Sequence, residues 1–113
     1  MLDRAIETLD IILEELDSKD KTHVHKSWRL NERHYGALQG LDKKQVGEKY
    51  GKEKLDLWRK SFDTPPPALS YNDKYHPRFD KLYAHMSEEE HKSMPLSESL
   101  EMCKARVQPY WSE

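Results

Sequence analysis

Six consecutive residues, 31–36, place four chemically useful side chains next to one another. Glu32 supplies a carboxylate, Arg33 a guanidinium, His34 an imidazole and Tyr35 a phenol. A guanidinium suits phosphate or carboxylate ligands, to which it donates two parallel hydrogen bonds. The negative charge of a bound phosphate favours the protonated form of a neighbouring carboxylate. The segment is therefore typical of an anion site in which a carboxylate exchanges protons near neutral pH, with Glu32 as the candidate.

Further cations follow this segment along the chain. Lys43 lies at the start of the next predicted helix, and Arg59 and Lys60 lie near the end of the helix after that. The first turn of a helix also attracts anions, because its N–H groups lack partners within the helix. The alternative is an ordinary solvated surface, since 35% of all residues are charged. Residue types and spacing alone leave both interpretations open.

The other reactive side chains give weaker signals. His23 and His25 alternate along a possible strand, but no third metal ligand is apparent in the sequence. The pair Glu90-His91 lacks the second histidine of the helical zinc-protease motif. Cys103 lies on the apolar stripe of a predicted helix, where a packed thiol is expected rather than a nucleophile. No metal site is predicted.

The composition describes a small, polar and nearly neutral chain. Its 113 residues leave room for one small domain. With 19 basic and 21 acidic residues the net charge is -2, which gives no signature of nucleic-acid or membrane binding. The aromatic content of 10% argues against disorder. A single cysteine excludes an internal disulfide, and with no signal peptide or membrane-length apolar run we expect a cytoplasmic protein.

The spacing of apolar residues predicts a mostly helical chain with one or two short strands. Leu2, Ile6, Leu9, Leu13 and Leu16 recur at intervals of three and four, which predicts an amphipathic helix over 2–17. A strand-and-loop region follows over 22–41, with a short strand at 22–25, and helices are predicted over 42–62. Residues 63–96 are predicted to be an irregular insertion with a short helix at 87–90. A last helix is predicted over 97–111, capped by Ser97 or Ser99.

One unbroken run is more specific than these patterns. Residues 27–41 read Ser-Trp-Arg-Leu-Asn-Glu-Arg-His-Tyr-Gly-Ala-Leu-Gln-Gly-Leu. This run resembles the signature segment of the cofactor-dependent phosphoglycerate mutases, a family within the histidine phosphatase superfamily. Further similarities occur at 57–63, at the three prolines 65–67, at 95–100 and at 109–111. The resemblance covers nearly the whole chain.

The resemblance implies a fold, a reaction and a set of site residues. The family fold is α/β, three layers with a mostly parallel sheet flanked by helices. The reaction interconverts 3-phosphoglycerate and 2-phosphoglycerate in glycolysis and gluconeogenesis, is primed by 2,3-bisphosphoglycerate and uses no metal. Glu32 matches the family's proton donor and acceptor. The positions that match its substrate-binding residues are Arg4, Arg33, His34, Tyr35, Lys43, Arg59 and Lys60. Family members usually have arginine at the position of Lys60, so the charge is kept but the two-pronged donor is lost.

The family also uses two histidines from segments that this sequence lacks. An Arg-His-Gly segment supplies the histidine that takes the phosphoryl group, and an Ala-His-Gly-Asn-Ser segment supplies the second. Neither occurs in the 113 residues. We therefore expect a middle portion of such a domain that is inactive alone.

Two alternatives to that interpretation stay open. In the first, the chain is a non-catalytic remnant or a truncated reading frame, with at most weak phosphate binding or subunit association. In the second, it belongs to a bisphosphoglycerate mutase within the same family. The expected partners are small-molecule phosphoglycerates and a homo-oligomer formed through the first helix and following strand. Neither nucleic acid nor membrane is expected as a partner.

Overall fold

A computed structural model describes residues 2–113, which form helices joined by long irregular segments. The helices are α1 (Asp3–Glu15), α2 (Lys43–Tyr50), α3 (Lys52–Lys60), α4 (Glu88–Ser93) and α5 (Leu100–Trp111). Single 3₁₀ turns lie at Trp28–Leu30, Gly36–Leu38, Pro77–Phe79 and Lys81–Tyr83. The chain divides into two compact units, one ending at Asn31 and the other running from Glu32 to Glu113. No helix within residues 2–113 is both long and apolar enough to cross a membrane.

Helix α1 belongs to the first unit and ends in a well-defined turn. Asp17 takes a left-handed conformation with φ of 49°, which Asp tolerates better than most residues. The amide of Ser18 then donates to the carbonyl of Leu13 at 2.9 Å, and the amide of Asp17 donates to Glu14 at 3.1 Å. This pair of bonds is a Schellman motif, which satisfies the carbonyls left open at the end of a helix. The helix is therefore two residues shorter at this end than the predicted range 2–17.

The strand predicted at 22–25 does not form. Residues 23–27 have irregular backbone, and no strand occurs within residues 2–113. A β-strand is defined by hydrogen bonds to a neighbouring strand, and the described part of the chain offers none to this segment. The prediction of one or two short strands is wrong for this reason, whereas the mostly helical character of the chain is confirmed.

Helices α2 and α3 are joined by Gly51 and pack against each other in the second unit, and this pair is called the α2–α3 hairpin below. Asp42 and Gln45 start α2 with a capping box, in which each side chain accepts from the other residue's amide, at 2.8 and 3.0 Å. Gly51 separates the helices with φ of 90° and ψ of 150°, a conformation open mainly to glycine. Leu38, Val46 and Trp58 form the buried core of the hairpin.

The segment between α3 and α5 is irregular apart from α4 and two 3₁₀ turns. Helix α3 ends at Lys60, earlier than the predicted residue 62, and leaves Phe62 half exposed. Helix α5 begins at Leu100 because Ser99 is its cap, with its hydroxyl accepting from the amide of Met102 at 3.2 Å. The hydroxyl of Ser97, the other predicted cap, donates instead to the carbonyl of Pro66 at 2.6 Å.

Candidate anion-binding site

Residues 32–37, which include the predicted site residues Glu32, Arg33, His34 and Tyr35, are called the loop below. The loop is tied to two distant segments of the second unit. The amide of Ala37 donates to the carbonyl of Pro67 at 2.8 Å, and the amide of Glu98 donates to the carbonyl of His34 at 2.9 Å. The two anchoring segments are themselves joined, since the amide of Leu69 donates to the carbonyl of Leu96 at 2.8 Å. The loop is therefore held at two points by backbone hydrogen bonds, which fixes its path more firmly than side-chain contacts alone.

Gly36 allows the loop to approach these segments closely. Its φ of +60° is left-handed, and a Cβ atom there would meet the carbonyl oxygen of Pro67 and the Cβ of Ser97, the latter at 2.9 Å. Only a residue without a side chain fits so close to two other backbone segments. The glycine therefore has a steric role at the junction of the loop with its supports.

Glu98 is the main side-chain support of this loop. The residue is 1% exposed, and its Oε2 accepts from both the amide and the Nδ1 of His34, at 3.0 and 2.9 Å. From the other side Arg106 donates its Nε to Oε1 at 2.6 Å and its Nη2 to Oε2 at 2.8 Å. This is a two-pronged guanidinium–carboxylate pair, the strongest geometry for such a bond. Helix α5, which carries Arg106, is thereby linked to the loop.

The ionisation of Glu98 reflects two opposing effects. Burial raises the pKa of the carboxyl, because a charge is poorly solvated inside a protein. The hydrogen bonds from His34 and Arg106 outweigh burial and lower the pKa of Glu98 to about 2. The carboxylate is therefore ionised throughout the neutral range and always acts as an acceptor.

Arg33 connects the loop to the end of helix α3. Its Nη2 donates to the main-chain carbonyl of Arg59 at 3.2 Å. Its guanidinium carbon lies 5.0 Å from the centroid of the Tyr35 ring, within the range of a cation–π contact. Arg33 thus braces the phenol of Tyr35 and the last turn of α3 at once.

Three of the predicted substrate-binding residues line one open cavity. Tyr35, Lys43 and Arg59 contribute its polar and cationic groups. The cavity has a volume of about 370 Å³, and its other lining residues are Leu38, Gln39, Gly40, Leu41, Val46 and Leu55. Beneath it Tyr50 and Trp58 pack edge to face, with ring centroids 5.2 Å apart, so the cavity rests on the core of the hairpin.

The charge in this cavity is not neutralised by the protein. Within residues 2–113 neither the ammonium of Lys43 nor the guanidinium of Arg59 has a hydrogen bond or ion pair to another side chain. Lys43 is also the first residue of α2, where the N–H groups of the first turn add positive potential. Two uncompensated cations, a helix start and a phenol suit an anionic ligand of the size of a phosphate ester.

Five predicted site residues do not line this cavity, and one of them is Arg33, whose contacts with Tyr35 and α3 are given above. Glu32 is exposed and does not belong to the cavity wall. Lys60 is exposed, and its Nζ lies 3.9 Å from the carboxylate of Asp56 one turn earlier in α3. Arg4 is exposed on α1, in the first unit. His34 is 9% exposed, with Nδ1 bonded to Glu98, a placement that suits support of the loop. Their proposed roles stay predictions.

Sequence reasoning missed Glu98 and Arg106, the two groups that hold the loop. Glu98 lies 64 residues from His34, and an acidic residue just before a helix has an ordinary local explanation as a favourable charge near the helix start. The spacing of Glu98 and Arg106, two turns apart, is the only local sign of their pairing. No group of three His, Cys, Asp or Glu side chains in residues 2–113 is arranged to hold a metal ion.

Comparison with known proteins places the chain in a family. The model of the histidine phosphatase superfamily (branch 1) matches residues 1–96. A curated relative, the 2,3-bisphosphoglycerate-dependent phosphoglycerate mutase of Dichelobacter nodosus (strain VCS1703A), is 52% identical over 110 residues. That alignment covers 97% of this chain and 43% of the relative, so the chain spans less than half of the relative's length. The resemblance found in the sequence is confirmed: the chain belongs to branch 1 of the histidine phosphatase superfamily.

Proposed function

We propose that this chain carries the phosphoglycerate-binding part of a cytoplasmic phosphoglycerate mutase, which moves phosphate between O3 and O2 of phosphoglycerate. The observation that carries the proposal is the cavity in which Tyr35, Lys43 and Arg59 meet, while the charged groups of Lys43 and Arg59 have no side-chain partner in the described part of the chain. The name of the relative from Dichelobacter nodosus supports the same activity. The reaction belongs to glycolysis and gluconeogenesis.

Each cavity residue has a distinct role in this proposal. Lys43 and Arg59 hold the phosphate and carboxylate of the substrate, and the hydroxyl of Tyr35 adds a hydrogen bond. Glu32 exchanges the proton of the substrate hydroxyl as phosphate leaves or arrives. Arg33 keeps Tyr35 and the end of α3 in place. Arg4, Arg33, His34 and Lys60 are assigned to substrate binding from the family resemblance alone, because none of them lines the cavity.

The same two cations suit 2,3-bisphosphoglycerate, because it offers phosphate groups to an uncompensated positive site. When bound, this cofactor supplies the phosphoryl group that primes the mutase reaction. Lys43 and Arg59 are the residues of this chain that would hold one of its phosphates. No metal is part of the proposal.

We further propose that the chain binds phosphoglycerate but does not turn it over alone. Neither the Arg-His-Gly nor the Ala-His-Gly triplet occurs in its sequence, and without a histidine to take the phosphoryl group no covalent intermediate can form. The alternatives are a remnant that binds phosphate weakly, and a bisphosphoglycerate mutase, which shares most of residues 27–41 with the mutases.

Calorimetric titration with 3-phosphoglycerate tests the binding proposal. Lys43→Ala and Arg59→Ala each remove one charged hydrogen-bond donor, worth about 1.5–3 kcal/mol, so each should weaken binding roughly tenfold or more. Lys44→Ala is the matched control, because it removes the same charge from the next residue, which does not line the cavity. Equal weakening by the Lys43 and Lys44 variants would reveal non-specific attraction, and the absence of binding by the unaltered chain would overturn the proposal.

A coupled assay with 3-phosphoglycerate tests the second proposal, in which we expect no turnover above the blank. Turnover that co-purifies with the chain and disappears in Glu32→Gln would contradict it.

We also propose that a second copy of the chain covers part of α1. Ile11, Ile12 and Leu16 are 61%, 47% and 67% exposed. Large apolar side chains grouped on one exposed helix are typical of an interaction surface. Sedimentation should show a dimer that Ile12→Glu dissociates. A chain that stays monomeric at high concentration would contradict the proposal.

A further inference from the structure

A single buried carboxylate satisfies both the main chain and the side chain of His34. Four donors point at the two oxygens of Glu98: Oε2 accepts from the amide and Nδ1 of His34 and from Nη2 of Arg106, and Oε1 accepts from Nε of Arg106. In the reverse direction the amide of Glu98 donates to the carbonyl of His34 at 2.9 Å. The two residues are therefore joined by three hydrogen bonds, which leave His34 neither backbone nor ring rotation.

The residues on either side of His34 face the cavity and its walls. Tyr35 lines the cavity, and Arg33 donates to the carbonyl of Arg59 and covers the ring of Tyr35. The two flanking residues cannot move independently of the one between them. A rotation of the His34 peptide would shift the phenol of Tyr35 and release Arg33 from α3.

We propose that Glu98, held by Arg106, is a positioning residue that fixes His34 and so presents Tyr35 to the anion cavity. Glu98 does not line the cavity itself, and it acts only through the loop. The expected effect of Glu98 on ligand binding rests on the proposed function. The effect of Glu98 on the loop can be measured without any ligand.

The arrangement has a spectroscopic signature. Because an ionised carboxylate only accepts hydrogen bonds, the Nδ1 of His34 must carry a proton. Long-range ¹H–¹⁵N spectra of the 113-residue chain should therefore show His34 with a protonated Nδ1. Glu98→Gln keeps one acceptor oxygen and replaces the other with an N–H₂ group, which then faces either the Nε of Arg106 or the three donors that meet Oε2.

The test compares Glu98→Gln with two other variants in the full chain. Glu98→Gln should speed amide exchange at His34 by roughly tenfold or more, since local opening governs that rate. It should also weaken 3-phosphoglycerate binding by roughly tenfold, the cost of a misplaced contact. Arg106→Lys keeps the charge with a single donor group and should give a smaller change in the same direction. Met94→Ala is the control, because Met94 is 2% exposed in the same unit and makes no hydrogen bond to the loop through its side chain.

The outcomes separate positioning from general support of the fold. The inference is supported if Glu98→Gln alters exchange and the Nδ1 signal of His34 while Met94→Ala, at equal or greater loss of stability, does not. It is overturned if Met94→Ala changes these signals equally, or if Glu98→Gln leaves them unchanged. If the unaltered chain fails to bind 3-phosphoglycerate, the proposed function fails, and the exchange and Nδ1 measurements decide the positioning role.

Discussion

The buried carboxylate of Glu98 should control how the second unit responds to acid. Its pKa is about 2 in the folded chain, against an ordinary value of 4.5. A group whose pKa is lowered by folding stabilises the fold fully above its unfolded pKa, and that stabilisation is lost as the pH falls through the folded pKa. The contribution of Glu98 is therefore complete above about pH 5.5 and disappears progressively between about pH 4.5 and 2.

The expected size follows from the same two values. A shift from 4.5 to about 2, at about 1.4 kcal/mol for each pKa unit, corresponds to roughly 3 kcal/mol. The group is 1% exposed, so solvent screens this contribution little. Other carboxylates titrate in the same range, and for this reason the quantity to follow is the difference between the chain and its Glu98→Gln variant.

Urea unfolding from pH 2 to 7, followed by the circular dichroism of the helices, measures that difference. Near pH 7 the variant should be about 3–5 kcal/mol less stable, because His34 and Arg106 keep buried donors without their carboxylate. Towards pH 2 the gap should narrow by roughly 3 kcal/mol. Glu88→Gln is the control, since Glu88 is exposed and pairs with Lys92 on the surface at 3.0 Å. Stability curves of the chain and the Glu98 variant that stay parallel from pH 6 to 2 would refute the reasoning.

Three further predictions concern the loop, the core and the chemistry. In urea unfolding, Gly36→Ala should lower the free energy of unfolding by about 2 kcal/mol or more, because a Cβ would clash with neighbouring backbone. Gly47 lies in helix α2 with open space around it, so Gly47→Ala should raise the free energy of unfolding by about 1 kcal/mol. Trp58→Ala should cost about 3–5 kcal/mol in the same assay, whereas Trp111→Ala, at 81% exposure, should cost little. In a fusion that restores the two histidine segments, Glu32→Gln should lower kcat about 10²–10⁴-fold with little change in substrate affinity; an unchanged kcat would exclude Glu32 as the proton-transfer group.

The helices of this chain follow from local signals in the sequence. Asp42 and Ser87 each stand three residues before a Gln or Glu, and each forms a capping box. Gly51 divides what the sequence predicts as helical residues 42–62. Local signals could not decide whether a strand forms at 22–25. A β-strand needs a neighbouring strand to bond with, and the residue pattern of one segment does not show whether such a partner is present.

The candidate site was predictable in its chemistry and not in its support. Residue types and the family resemblance single out Tyr35, Lys43 and Arg59, and these three line one cavity. The apolar part of the cavity and the role of Glu98 depend on contacts between distant segments, which one sequence without a structure does not disclose. The choice between Ser97 and Ser99 as the cap of α5 also depended on such a contact. The hydroxyl of Ser97 donates to the carbonyl of Pro66, which leaves Ser99 as the cap.

The double anchoring of the loop has a consequence for the order in which the chain folds. The bonds that shape residues 33–37 join Arg33 to Arg59, Ala37 to Pro67 and His34 to Glu98, which are 26, 30 and 64 residues apart in sequence. Closing such long loops costs chain entropy before any bond is gained, so contacts of this range form late. During synthesis the α2–α3 hairpin can assemble from neighbouring residues, but the loop must wait until Arg106 has left the ribosome. A peptide that ends before α5 should therefore contain the hairpin without a formed anion cavity.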